Sequence, residues 1–214
     1  MPVTLKLATS LDGRIATASG ESRWITGEAA RQAVHRLRGE HDAVLVGAET
    51  ALADDPELSV RLAGYAGRQP ARVVLDSRQR LSPDCNLVKT ARDTPTYIIS
   101  TTEPDLALVA AGVRVLRVRA VGEDRPELNT VVEILANEGL SSIFVEGGGQ
   151  VAASFLRCGL VDRMEWFRAP ILIGGEGRPG IGALAIAALA DAPHFRRIEV
   201  REVGDDLWER YARL

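Results

Sequence analysis

Cysteine, histidine and aromatic residues are all scarce in this 214-residue chain, and each scarcity closes off a class of protein. With only Cys85 and Cys158, a disulfide framework and a cysteine-built zinc site are excluded. The pair suits a reducing compartment, and Cys158 reads as a core residue of an apolar helix. The three histidines, His35, His41 and His194, are scattered, and none pairs at the spacing of metal ligands on a helix, so no metal is expected. A basic excess is missing too: 26 Lys+Arg against 29 Asp+Glu leave a net charge of −3. That balance argues against a dedicated nucleic-acid binder and leaves room for a local basic pocket. Long apolar runs are absent. The longest, residues 181–190, has Gly182 near its start and falls far below the roughly 20 residues of a membrane span. The apolar start of the chain is broken by Lys6 and no small-residue cleavage site follows, so a cytoplasmic protein is expected. No G-x-S-x-G elbow supports a serine hydrolase.

What remains is a chain with the apolar and charged fractions of an ordinary globular protein, long enough for one large domain or two small ones. Strand-like and helix-periodic segments alternate along it. A strand is predicted over 3–9, followed by the turn signal Asp12-Gly13. A helix is predicted over 26–38, N-capped by Thr26, with Ala30, Ala33, Val34 and Leu37 on one face and Gly39 closing it. Short strands follow at 42–47, 73–75, 97–99 and 113–118. A second helix has Pro126 in its first turn, a stripe of Leu128, Val131, Val132 and Leu135, and Gly139 at its end. A strand at 142–146 leads through Gly147, Gly148 and Gly149 into a helix at 150–158. Strands at 164–167, 170–173, 195–203 and 207–213 complete the chain. The alternation predicts an α/β fold with a mixed, mostly parallel central sheet flanked by helices. The polar loop 63–70 is too short to separate domains, so a single domain over 1–214 is expected.

Three stretches carry chemistry. In Val145-Glu146-Gly147-Gly148-Gly149-Gln150 a strand passes through glycines into a helix. Glycines admit positive φ and close approach, and a helix start offers free N–H groups to an anion such as a phosphate. The stretch is neither a Walker A motif nor G-x-G-x-x-G, so a tight turn without a ligand is the plain alternative. Glu146 sits where ligands meet open α/β sheets. The second stretch runs from Thr50 to Arg61. Asp54 and Asp55 before Pro56 make a turn or cap, or present a carboxylate to a polar substrate, with Arg61 meeting a phosphate or carboxylate. The third is Lys6 in an apolar strand: pointing inward it needs a partner or ligand, pointing outward it is an edge charge. Ser22-Arg23-Trp24 suits a pocket lid, although a loop tryptophan more often packs partly into the core. Arg36 and Arg38 complement the dipole of the first helix in the plainest reading.

Taken together these motifs, with Val74-Leu75-Asp76-Ser77-Arg78, Gly159-Leu160-Val161-Asp162 and 169–175, resemble in order and spacing the pyrimidine reductase domain of riboflavin biosynthesis, a dihydrofolate-reductase-like family. The resemblance spans about residues 3–175; the segment beyond matches weakly. It implies hydride transfer from NADPH that converts the ribosyl group of 5-amino-6-(5-phosphoribosylamino)uracil, or of its 2,5-diamino pyrimidinone analogue, to a ribityl chain. By position it places Ala8, Trp24, Thr50, Asp54, Ser77 and Gly148, Gly149, Gln150, Val151, Ala152, Ala153 and Ser154 at the cofactor. Ser22, Arg38, Leu58, Arg61 and Glu146 fall at the substrate, with Arg38 and Arg61 clamping the ribose phosphate. Ser77 and Arg78 would meet a ribose 2′-phosphate. Lys6 and Asp54 are the candidates for the chemistry, since ring opening needs a titratable group near the sugar C1.

The resemblance further implies a homodimer, and Trp166, Phe167 and the late strands offer apolar surface for one. Two features depart from the family. The zinc deaminase often fused ahead of this domain has an H-x-E…P-C-x-x-C signature that is missing here, so a stand-alone or excised reductase is expected. The segment Arg163-Met164-Glu165-Trp166-Phe167-Arg168 is also heavier and more charged than the family leads one to expect. The rival readings are a fold relative reducing another substrate, such as a pterin, and a non-catalytic NADPH-binding module. Neither needs two arginines on the substrate side.

Overall fold

A computed structural model describes residues 1–122 and 124–214. The first half of the chain gives β1 (Val3–Thr9), β2 (Arg14–Ala16), α1 (Glu28–Gly39), β3 (Ala43–Gly47), α2 (Ala48–Asp54), β4 (Ala71–Leu75), α3 (Asn86–Lys89) and β5 (Thr96–Ser100). Next come α4 (Leu106–Ala110), β6 (Arg114–Arg117), β7 (Ala120–Val121), β8 (Arg125–Pro126), α5 (Leu128–Asn137) and β9 (Ile143–Val145). The last are α6 (Gly149–Arg157), β10 (Arg163–Arg168), β11 (Arg178–Pro179), β12 (Phe195–Val203) and β13 (Asp206–Arg213). Strand pairing is mixed and mostly parallel, as the alternation predicts. The chain divides into two compact units: residues 35–144 with Met1 (unit I), and residues 2–34 with 145–214 (unit II).

In unit I, β3, β4, β5 and β6 lie side by side, all parallel. Val44, Leu45, Val46, Val73, Val74, Ile98 and Ile99 are at most 1% exposed, the continuous apolar run of strands covered on both faces. Arg72 precedes Val73 in β4 and is itself buried, at 3% exposed. Of the predicted stripe of α5, Leu128, Val131 and Leu135 are buried, while Val132 is half-buried. Pro126 does not enter its first turn; it ends β8, and Glu127 takes the N-cap position. The helix α2, for which the sequence pattern predicts no element, forms because Ala48 and Ala51 bury one face of it directly after β3, and Asp55 caps its end, one of the two plain readings of the Asp54-Asp55 pair.

In unit II the order is β12, β13, β10, β1, with β1 and β10 parallel and the rest antiparallel. The helix α1 begins later than predicted: the Gly27 carbonyl accepts its first bond, from Arg31 N–H, and Asp206 accepts the Gly27 N–H at 2.7 Å. Thr26 is therefore not its cap. Cys158, expected in the core, is exposed at the C-cap of α6, two residues beyond the buried Phe155-Leu156 pair. Phe167, expected at the surface, is fully buried against the Trp208 ring at 5.2 Å.

Residues 170–173 form a loop rather than a strand. Asp12 explains why: its carboxylate accepts the Gly174 N–H at 2.7 Å, the Ile173 N–H at 3.2 Å and the Ser10 hydroxyl at 2.6 Å, so the backbone donors a strand would use are taken. These bonds, the Ser10 hydroxyl foremost, favour the carboxylate and lower the Asp12 pKa from 3.8 to about 2. A depressed folded pKa gives stability that is present above the unfolded value and lost as pH falls from about 4 through about 2. Asp12→Asn is expected to lower the urea midpoint at neutral pH and to flatten its fall over that acid window. Parallel acid limbs in the two proteins would refute the assignment.

Candidate active site

Unit II supplies the residues around β1 and the glycine turn. Leu5 and Leu7 point to one face of β1 and are buried; Lys6 and Ala8 share the other and are half-buried. Lys6 stands in register with Glu165 of β10 and has an interaction partner. Gly148 caps α6 at φ 77°, ψ 130°, a region glycine enters at no steric cost. The first N–H of α6 to find a helical acceptor is that of Ala152, on the Gly148 carbonyl at 3.0 Å. The N–H groups of Gly149, Gln150 and Val151 precede it and point out of the helix start. Ala152 and Ala153 are core residues, and the Ser154 hydroxyl accepts from Arg157 at 3.0 Å. The turn therefore offers a ligand backbone donors rather than side chains.

Glu146 is half-buried in the loop between β9 and that turn. Ser22 and Trp24 are exposed, the indole at 69%, against the expectation of partial core packing. The Arg31 guanidinium lies 4.4 Å from the Trp24 ring centroid while donating to the Thr26 carbonyl at 2.8 Å. This holds an aromatic plate at the surface.

Unit I supplies the arginine loop. The two adjacent carboxylates of the Thr50–Arg61 stretch have separate fates. Asp55, in the left-handed region at φ 39°, ends α2, and its carboxylate accepts the Asn86 backbone N–H at 2.8 Å and side-chain amide at 2.9 Å. Asp54 is exposed on the last turn of α2, with no hydrogen-bond partner among the described residues, and so is available to a ligand. Thr50 is half-buried on the same helix. Leu58 anchors the loop: it is only 3% exposed although its φ is 54°.

The loop beyond it is tied to α1. Arg38 Nη1 donates to the Ser59 carbonyl at 2.8 Å. His35 Nδ1 lies 3.2 Å from both that carbonyl and the Arg61 N–H, donating to the first or accepting from the second according to its tautomer. Arg38 and Arg61 thus meet on one short segment. Among the described residues the Arg61 side chain pairs only with Glu57, at 3.3 Å, and both are more than half exposed, so this ion pair is weak enough to exchange for a ligand.

Ser77 follows β4. Its carbonyl accepts from the Ser100 and Thr101 hydroxyls, while its own hydroxyl and the Arg78 guanidinium have no hydrogen-bond partner among the described residues. The fully buried Asp76 carboxylate fixes this turn by accepting the Leu81 N–H at 3.1 Å.

A family model described as the RibD C-terminal domain matches residues 2–208. The chain belongs to the RibD C-terminal domain family. It is 39% identical to the riboflavin biosynthesis protein RibD of Bacillus amyloliquefaciens over 96% of its own length and 55% of that protein. It is 36% identical to a Methanothermobacter thermautotrophicus protein named 2,5-diamino-6-ribosylamino-4(3H)-pyrimidinone 5′-phosphate reductase, over 98% of this chain and 96% of that one. Among solved structures, Acinetobacter baumannii RibD superposes with a TM-score of 0.89 at 32% identity, covering all of this chain and 58% of that one. The chain thus spans about half the length of the RibD proteins it matches and nearly all of the methanogen protein. The fold is that of the RibD-type, dihydrofolate-reductase-like reductases.

Four residues that hold the candidate residues in place escape a motif reading. His35 lies three residues before Arg38 on α1, a spacing that puts both on one helical face and was open to notice. Gln69, which holds Val60 through both its amide groups, acts from the loop before β4, and Asn86, which holds Asp55, from the first residue of α3. Arg31 gave no signal, because its stack on Trp24 exists only once α1 is formed.

Proposed function

We propose that this chain is a reductase that uses NADPH to convert the ribosyl group of 5-amino-6-(5-phosphoribosylamino)uracil, or of its 2,5-diamino pyrimidinone analogue, to the ribityl form. The observation that carries this reading is the pair of guanidinium groups brought to residues 57–61 by the Arg38–Ser59 bond. Two planar donor forks, one from α1 and one from the loop it is bonded to, suit a phosphate monoester, and the reaction named for the methanogen relative has such a substrate.

The residues also fit the cofactor. The glycine turn offers backbone N–H groups at a helix start to a pyrophosphate. Ser77 and Arg78, uncommitted by side chain, suit the 2′-phosphate that separates NADPH from NADH. Bound NADPH supplies the hydride that reduces the sugar C1. The protein supplies position and charge: Arg38 and Arg61 hold the phosphate, Ser22, Leu58 and Glu146 flank the substrate, and Ala8, Trp24 and Thr50 flank the nicotinamide side. Lys6 holds a sugar hydroxyl or ring carbonyl, and Asp54 relays the proton that ring opening requires. The reading covers residues 1–214 as one reductase working in the cytoplasm as a homodimer, for which exposed Ile198 and Val200 on β12 offer apolar contact.

NADPH consumption followed optically with each pyrimidine, beside NADH, tests the reading, and no consumption with either cofactor sinks it. Arg61→Ala is expected to raise KM for the phosphorylated substrate about ten- to a hundredfold, the size of a lost charged hydrogen bond, and to leave KM for NADPH within about twofold. Equal effects on both would remove Arg61 from the phosphate clamp.

A further inference from the structure

Glu165 sits in the segment whose charge departs from the family pattern. Strand position alone suggests an exposed residue there, yet Glu165 is 3% exposed. Its carboxylate is fully engaged: Trp208 Nε1 donates at 2.7 Å and Arg210 Nε at 3.1 and 3.2 Å to its two oxygens. Arg210 reaches onward to Glu199 at 3.3 Å, and Arg201 pairs with the same glutamate.

The strand registers set these groups in one row. Lys6 of β1 faces Glu165 of β10, Glu165 faces Arg210 of β13, and Arg210 faces Glu199 of β12. In-register neighbours point to the same side of a sheet at a strand spacing of about 4.8 Å, well within the reach of a lysine stem. The row therefore alternates in charge from the active-site strand to the edge of unit II, with its one deeply buried acid next to Lys6. Trp208, stacked on Phe167, closes over it.

The basic residues sharpen the point. Of 26, only Lys6 and Lys89 are lysines. Lys89 is an exposed surface lysine 3.8 Å from Asp84. At Lys6 the chain keeps the compact ammonium, which can be oriented by a single neighbouring carboxylate and can change its protonation where a guanidinium cannot.

We propose that Glu165 is a positioning residue for Lys6: from the adjoining strand it aims the Lys6 ammonium, and is itself locked by Trp208 and Arg210. The inference rests on the reading of Lys6 as a substrate-side residue. Glu146, after β9, is the other acid that reading assigns to the substrate, and its role is unaltered.

The two-lysine composition makes the test direct. Reductive methylation with carbon-13 labels Lys6, Lys89 and the chain terminus, and Lys89→Arg assigns the signals. Glu165→Gln, whose amide oxygen still accepts from Trp208, is expected to move the Lys6 resonance and leave that of Lys89 in place. It should lower kcat about tenfold or more with KM for NADPH unchanged. Arg210→Gln, which removes the competing cation and needs no change at Glu165, should move the Lys6 resonance the opposite way. A Lys6 signal that neither variant moves overturns the proposal, as does a moved signal with unchanged kcat. A Lys6→Met enzyme of full activity overturns the reading of Lys6 itself, and that outcome is separate from the resonance result.

Discussion

Arg72→Met is expected to destabilise the protein by about 2–4 kcal/mol, the cost of leaving more than one buried acceptor without its donor. Arg72 lies in the middle of β4, 3% exposed, among valines that are fully buried. Its Nη1 donates to the Thr90 hydroxyl at 2.6 Å, and its Nη2 lies within bonding distance of the Thr94 and Thr90 carbonyls, both at 2.9 Å, the Thr96 hydroxyl at 2.6 Å and the Leu87 carbonyl at 3.2 Å. One side chain thus ties β4 to the end of α3 and the start of β5. Burial lowers its pKa, desolvation being the main cause, yet a guanidinium remains charged at any ordinary pH. No carboxylate lies within ion-pair distance among the described residues, so the charge is carried by carbonyl and hydroxyl dipoles alone.

That makes the case different from a buried ion pair, which two apolar residues can replace at little cost. Backbone carbonyls cannot be mutated away, and each one left dry costs about 1–3 kcal/mol. Methionine keeps much of the stem volume, so packing loss is a minor part of the effect. Urea unfolding measures it; a change below about 1 kcal/mol would mean that water replaces the guanidinium.

Arg72 also shows where sequence pattern stops. The run around it announces a buried parallel strand through Val73, Val74 and Leu75, and the structure has that strand. Nothing in the pattern says that the arginine preceding them is itself buried, because its partners come from residues 87–96 and are mostly backbone atoms. Strands 3–9 and 195–203 were legible to the residue because their alternation and flanking turns are local. Segment 170–173 misled for the opposite reason: its apolar run looks like a strand, but the Asp12 carboxylate from a distant turn takes the N–H groups of Ile173 and Gly174. Similarly, α2 was hidden because its seven residues are too few to show a helical period.

The candidate site divides the same way. Glycines at a strand-to-helix junction, a lysine in an apolar strand and paired acids before a proline are visible in one dimension. Which acid is spent on structure is not: Asp55, left-handed at the end of α2, is reached by Asn86, and Asp54, on the last turn, is not. The nearness of Arg38 and Arg61, 23 positions apart, follows from the Ser59 carbonyl accepting the first of them, a contact no motif encodes.

Gly149→Ala carries the other large expected effect, and intrinsic propensity predicts its sign wrongly. Alanine is favoured over glycine inside a helix by about 1 kcal/mol, and Gly149 is the first residue of α6 with no positive φ. A Cβ there would lie 2.4 Å from the Pro179 carbonyl oxygen, a distance real contacts do not reach, and 3.4 Å from the Gly182 nitrogen. The Pro179 oxygen cannot step aside cheaply. Pro179 pairs with Arg14 in β2, Gly180 N–H is bonded to the Gly13 carbonyl at 2.9 Å, and Gly182 N–H to the Gly149 carbonyl itself at 2.8 Å. The overlap therefore falls on backbone held at three points and costs about 1–3 kcal/mol, enough to outweigh the propensity gain.

The displacement strikes the helix start whose free N–H groups are proposed to receive the cofactor pyrophosphate, so stability and affinity should fall together. KM for NADPH is expected to rise about tenfold, the equivalent of one weakened charged hydrogen bond, while KM for the pyrimidine changes little. Gly175→Ala is the matched control, since a Cβ there meets nothing within 4 Å. If Gly149→Ala melts as the control does and keeps its NADPH affinity, the 179–182 loop yields freely and the glycine turn is not the cofactor cradle.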